Sequence, residues 1–212
     1  MDEHLLRYNK NKTFVFIDLE TFNLCLNFCH NLPWQIGLIK AKGDFKVDSK
    51  NFYIKWDTDL KISDDAARIT RYDHKRVQKE GLNIKDAFPT IKDWLDHADY
   101  IVGHNILGFD IYLIKELYKI MGCHYEHLSK KIIDTNCIAR GIKYGTPYKS
   151  DMNLLEYQYK IYHTKKKNIK SSLTALGKEN NIDHDYEKLH DAINDLDLNL
   201  KVWNKLKWQV EV

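Results

Sequence analysis

The chain has 212 residues, 43% of them hydrophobic and 30% charged, with a formal net charge of +3. That profile is one globular domain, expected over residues 1–212, and nothing in it approaches the run of about 18 apolar residues that a membrane helix needs. Its opening, Met1-Asp2-Glu3-His4, is not a signal peptide, and four cysteines are too few for a disulfide scaffold, so reduced thiols and a cytoplasmic location are expected.

In chain order, Thr13 to Ile17 (TFVFI) is a β-branched and aromatic run that predicts a buried strand. Cys25, Cys29 and His30 could begin a zinc site, but the second half of the pattern is missing. Gln35 to Lys40 and Asn51 to Lys55 predict two more strands, and Gly43-Asp44 marks the turn of a hairpin. Asn83 is placed to cap a helix reaching about Ala98, with Ile84, Ala87, Phe88, Ile91 and Leu95 on one face. Pro89 inside it predicts a kink or a later start. Tyr100 to Gly103 predicts a short strand, Ile111 to Met121 a helix stopped by Gly122, and Lys131 to Asp134 another strand. Gly141 to Lys170 reads as a long surface loop with some helix. Ser172 to Asn180 and Ala192 to Trp208 are the last helices. Strands first, then strands alternating with helices, predict an α/β fold with a mixed central sheet flanked by helices.

Charge is unevenly distributed. Arg140 to Lys178 holds nine Lys/Arg and two acids; Glu179 to Asn199 holds seven acids and one lysine. A basic stretch beside an acidic one suits a protein that attracts phosphate and gathers metal-binding carboxylates, although a solvated lysine-rich loop looks the same.

Three acidic motifs carry the chemistry. In Asp18-Leu19-Glu20, residues two apart on a strand share a face, so two carboxylates crowd together at a strand end. Close like charges repel unless a cation separates them, and an all-oxygen pair suits Mg²⁺ or Mn²⁺. Asp110 closes Gly103-His104-Asn105-Ile106-Leu107-Gly108-Phe109-Asp110, between a strand and a helix, where an acid also serves simply to match the helix dipole. Asp195 closes His190-Asp191-Ala192-Ile193-Asn194-Asp195. Five helical residues would set His190 about 140° from Asp195. His190 is therefore expected on the loop before the helix, with Asp191 near the cap and the imidazole able to swing over a metal site. Taken singly, each motif has a plain structural explanation. Jointly they mark the strand ends where open α/β sheets gather ligands.

Asp18-Leu19-Glu20-Thr21, Gly103-His104-Asn105 with Phe109-Asp110, and His190-x-Ala192-x-x-Asp195 resemble, in order, the three exonuclease motifs of the DEDDh family. That family includes the proofreading subunit of bacterial DNA polymerase III, RNase T and oligoribonuclease. Gln35-Ile36-Gly37, Asp134-Thr135 and Ser172-Leu173-x-x-Leu176 are supporting matches. The resemblance spans Thr13 to about Trp203. A sister group has tyrosine where Asp191 stands here; His190 indicates the histidine branch. Thr21-Phe22-Asn23 departs from the Thr-Thr-Gly frequent in relatives.

The resemblance implies an RNase H-like exonuclease fold and a 3′→5′ exonuclease releasing nucleoside 5′-monophosphates. Asp18, Glu20 and Asp195 would bind one cation, and Asp18 with Asp110 the second. The cofactor it implies is two Mg²⁺, with Mn²⁺ as a substitute, in a two-metal clamp. His190 would be the general base, since imidazole titrates near neutrality by nature. Thr21, Asn105 and Phe109 match positions that line the substrate end; Phe22 serves either a base stack or the core. The expected partner is a single-stranded nucleic-acid 3′ end, DNA favoured over RNA, with exoribonuclease activity as the alternative. A catalytically silent binding module would have lost an acid or the histidine, and all five are present. With no room for a fused polymerase, the domain is expected to act alone or in trans with a replication or repair protein.

Overall fold

In the computed structural model, which describes residues 3–27, 30–58 and 60–212, six strands form one mixed sheet in the order β4-β3-β2-β1-β5-β6. The strands are β1 (Thr13–Thr21), β2 (Pro33–Lys42), β3 (Phe45–Lys55), β4 (Leu82–Asn83), β5 (Tyr100–Gly103) and β6 (Ile132–Asp134). β1, β2 and β3 form an antiparallel meander. β5 and β6 add to β1 in parallel, as β4 does to β3.

The helices are α1 (Asp64–Thr70), α2 (His74–Glu80), α3 (Ile84–His97), α4 (Asp110–Ile120), α5 (Thr135–Lys143), α6 (Leu154–His163), α7 (Leu173–Glu179) and α8 (Ala192–Leu206). The expected α/β architecture, a mixed sheet flanked by helices, is the one observed. The core is continuous from Phe14, Phe16, Ile36 and Leu38 in the sheet to Ile91, Leu95, Leu117 and Trp203 in the helices.

α8 lies across β1 and β2, its Trp203 ring 6.2 Å from Phe14. Its first turn comes unusually close to the sheet because β2 carries Gly37 there. A methyl group at Gly37 would meet the Ala192 methyl at 2.7 Å. The hydrogen is needed for this approach, and the approach brings Asp195 down onto β1.

Several elements depart from expectation for local reasons. β3 begins at Phe45, six residues before Asn51, because its first half pairs through backbone while its side chains stay largely in solvent. α3 starts at Ile84 even though Pro89 lies inside it; Asn83 caps it, accepting from the Lys85 N–H at 3.0 Å. The stretch from Gly141 to Lys170, read as a long surface loop with some helix, holds the end of α5 and the ten-residue helix α6. α1 and α2, seven residues each, bury only Ala66, Thr70 and Val77, too few for a periodic apolar face. No helix among the described residues is long and apolar enough to cross a membrane. Of the zinc reading, Cys29 lies outside the described residues, and Cys25 is exposed.

Candidate active site

β1 is hydrophobic until Ile17 and then carries Asp18 and Glu20 on the face toward α8, with Leu19 buried on the other. Asp18 pairs with Gly37 and Glu20 with Gln35, the two β2 positions beneath the start of α8. Asp191 caps α8, accepting from the Asn194 N–H at 3.3 Å, and Asp195 sits in the first turn. The result is that one carboxylate oxygen from each of Asp18, Glu20 and Asp195 lies within 4.8 Å of the others. Two oxygens across an octahedral Mg²⁺ span about 4 Å, so a small rotation of these side chains closes the shell.

Asp110 approaches from β5 and the loop after it. It is the first residue of α4, 6% exposed, and its charge acts on both Asp18 and Glu20. Burial pushes the Asp110 carboxyl up to about 7 against the N–H groups of Asp110 itself and Leu19. Burial, then the neighbouring carboxylates, raises Glu20 to about 8 and lifts Asp18 well above the usual range. Burial also holds Asp195 near 6, opposed by the His190 N–H. Among the described residues no lysine or arginine pairs with any of these four acids. Acids crowded at least half-buried against one another without a counter-ion are an unfavourable arrangement that a hard divalent cation resolves. The donor set fits the expected metal.

Asp191 is a fifth acid. Its charge raises Asp18, Glu20 and Asp195, and Gln35 donates to it at 3.2 Å. The motif spacing placed Asp191 at the cap but did not reveal that the cap faces the cluster.

His190 lies before α8, as expected, and is exposed. Its backbone is left-handed, with φ 68°, and its N–H donates to Asp195 at 3.3 Å. A cavity of about 160 Å³ opens beside it, lined by Gln35, Tyr53, Arg71, Arg76 and Asp191 among others. Arg71, at the end of α1, also has a positive φ, 54°, and its guanidinium donates to the Glu187 carbonyl at 2.8 Å. It thereby ties α1 to the loop that carries His190. No sequence signal marks this contact, which joins residues 116 apart.

The expected substrate-contacting residues divide. Asn105 is exposed in a left-handed turn with φ 65°, and Phe109 is half-buried beside Asp110. Thr21 is buried, its hydroxyl donating to the Asn23 carbonyl at 2.5 Å. Phe22 is 6% exposed and packs with Trp34, Tyr53, Val77 and Tyr72 in a second small core. Of the two uses open to Phe22, the structure takes the core, because Tyr72, between α1 and α2, and Val77 of α2 join it in one apolar cluster.

The loop bearing Asn105 and Asp110 is held by Asp134. This carboxylate accepts from the N–H groups of Asn105, Leu107, Asn136 and Cys137 at 2.9–3.3 Å. Thr135 continues the network, its hydroxyl 2.8 Å from Asn199 and 3.0 Å from His104 Nδ1. Burial drives the His104 imidazole down to about 4, so it is neutral near pH 7.

An α/β sheet whose strand ends bring together four carboxylates with no cationic partner among the described residues has the donor set to hold divalent cations. Comparison supplies the class: residues 15–203 match the RNase T exonuclease family, and the chain belongs to it, a DEDDh-type 3′→5′ exonuclease domain of a divalent-metal-dependent family. The fold matches solved structures of Exonuclease I. The E. coli enzyme in complex with a dA16 oligonucleotide gives a TM-score of 0.75 at 20% identity, covering 94% of this chain and 41% of that one. An Exonuclease I complex with the SSB C-terminus gives 0.73 at 19%, covering 94% and 42%. A zinc-bound E. coli Exonuclease I–ssDNA complex gives 0.72 at 20%, covering 93% and 41%. The chain thus spans about two fifths of the length of these structures. No curated protein matches it.

Proposed function

We propose that this domain shortens single-stranded DNA from its 3′ end, releasing nucleoside 5′-monophosphates. The observation that carries the reading is the cluster of Asp18, Glu20 and Asp195, with Asp110 beside it, buried or half-buried and without a counter-ion among the described residues. Asp18, Glu20 and Asp195 would hold one Mg²⁺, and Asp18 with Asp110 a second, with Mn²⁺ as a substitute. Bound there, the cations supply Lewis-acid stabilisation of the in-line displacement and a more acidic water.

The protein's own groups do the rest. His190 takes the water's proton at an imidazole nitrogen; its exposed position on a left-handed turn lets the ring move toward the cluster, while its N–H stays anchored to Asp195. Asn105 and Phe109 orient the terminal nucleotide from the opposite loop. DNA is preferred to RNA in this reading because the similar structures include Exonuclease I bound to dA16 and dT13 oligonucleotides. Association in trans with a replication or repair protein belongs to the same reading; one of those structures is a complex with the SSB C-terminus.

The test uses 5′-labelled single-stranded DNA and RNA of one sequence, in Mg²⁺, in EDTA and with Asp18→Ala. A ladder shortening from the 3′ end only with the unaltered chain and metal is expected, DNA faster than RNA. His190→Ala should slow it by about 10²–10⁴-fold without loss of metal binding. RNA shortening faster would reassign the substrate, and no shortening of either polymer in Mg²⁺ or Mn²⁺ would overturn the reading.

A further inference from the structure

The basic stretch after Arg140 has no part in the carboxylate site, yet the fold brings it to the site's edge. α6 packs beside the loop that carries Asn105 and Asp110. A methyl group at Gly108 would lie 2.8 Å from both the Tyr162 hydroxyl and the Asn105 side chain, so Tyr162 touches this loop. From Tyr162 an aromatic row continues outward. His163 meets Tyr162 edge-on with centroids 5.2 Å apart, and Tyr159 stacks on His163 at 6.3 Å and 14°. Tyr112, on α4, stands next to Tyr159, near enough that its phenol, after burial, raises the Tyr159 hydroxyl.

The three outer rings are not covered. Tyr112 is 48% exposed, Tyr159 38%, and His163 is exposed. Lys165 and Lys167 follow two and four residues on, both exposed, and neither ammonium has a hydrogen-bond or ion-pair partner among the described residues. The backbone that presents them is held: Arg140 donates to the Tyr162 and Thr164 carbonyls, and Lys166 to the Tyr144 carbonyl at 3.0 Å. The exposed acids of this segment, Asp151 and Glu156, lie before Tyr159 rather than among the rings and lysines.

An exposed row of π faces flanked by unpaired ammonium groups is the chemistry that holds a single nucleic-acid strand: bases stack without regard to sequence, and phosphates meet the lysines. Resting on the exonuclease reading, we infer that Tyr112, Tyr159, Tyr162 and His163, with Lys165 and Lys167, form a track for the strand lying 5′ of the terminal nucleotide. The track begins at the loop of Asn105, where that nucleotide is bound, so strand length beyond it adds affinity without altering the reacting centre.

The test compares a dinucleotide with a single strand of about 15 nucleotides, in the unaltered chain and two double variants. Tyr159→Ala with His163→Ala should raise KM for the long strand about tenfold, leaving its kcat and the dinucleotide kcat/KM unchanged. Tyr159→Phe, which keeps the π face, should behave as the unaltered chain. Lys165→Ala with Lys167→Ala, at exposed positions that the fold does not need, should lower the slope of log KM against log salt by roughly 0.7 per lost phosphate contact. A long-strand KM and salt slope unchanged in both double variants would overturn the track. If the unaltered chain hydrolyses neither substrate, the exonuclease reading fails instead. Anisotropy of the labelled long strand on the same proteins then decides the track alone, with equal affinities counting against it.

Discussion

Two groups of acid stand at strand ends of one sheet, and they differ in what surrounds them. Asp134, at the end of β6, is fully buried and accepts four backbone N–H groups, two from the loop after β5 and two from the first turn of α5, which it caps. Asp18 and Glu20, two strands away, face Asp195 and Asp110 and meet mainly one another's charge. Burial raises the pKa of both groups. The partner set separates them: an acid saturated by backbone donors holds the fold together, and acids that repel one another would hold a place for a cation. Burial and composition alone would have assigned them the same role.

The sharpest way to break this comparison is to neutralise one acid of each kind. Asp18→Asn should abolish exonuclease activity, losing several kcal/mol of transition-state stabilisation, on the order of 10³-fold or more in rate. It should also raise the melting temperature of the metal-free protein, because one of the facing charges is gone. Asp134→Ala should do the reverse, lowering stability by roughly 3 kcal/mol or more as buried N–H groups lose their acceptor. Metal-free thermal melts beside initial rates check both; a destabilised Asp18→Asn would contradict the contrast.

Next in size is Gly37→Val. Its side chain collides with Ala192 and lifts the first turn of α8, which costs about 1–3 kcal/mol and moves Asp195 off the other ligands. Metal affinity measured by titration calorimetry should fall more than stability does.

The pH response is smaller and has a definite sign. In the metal-free protein Glu20, Asp110 and Asp195 keep protons up to about 8, 7 and 6, above the roughly 4 of unfolded carboxylates. Between those limits the folded state binds more protons than the unfolded, so stability falls as pH rises from about 5 to 8. Saturating Mg²⁺ should flatten that slope, and scanning fluorimetry across pH, with and without metal, reads it directly.

The smallest effect is expected at Arg71. Arg71→Gly relieves a left-handed residue by about 1 kcal/mol while releasing the Glu187 carbonyl and the loop of His190. The variant should fold as well as the parent and turn over a few-fold more slowly at saturating substrate.

Much of this was legible in the chain itself. Alternation along β1 put Asp18 and Glu20 on one face, and the helix count from Ala192 put Asp195 one turn in and His190 outside, because both are properties of local backbone geometry. The order of the three motifs identified the family. What the tertiary structure alone decided depends on contacts between residues far apart in sequence. Asp191 joins the acid cluster because Gln35 and Gly37 bring the cap of α8 onto β2. Phe22 is core because Val77, on the short helix α2 that has no apolar period of its own, and Tyr72 just before it join Trp34 and Tyr53 in one cluster. The aromatic row on α6 reaches the site because Gly108 leaves room for Tyr162. Periodicity is written residue by residue, whereas close approach depends on which surfaces meet, and only the folded chain brings them together.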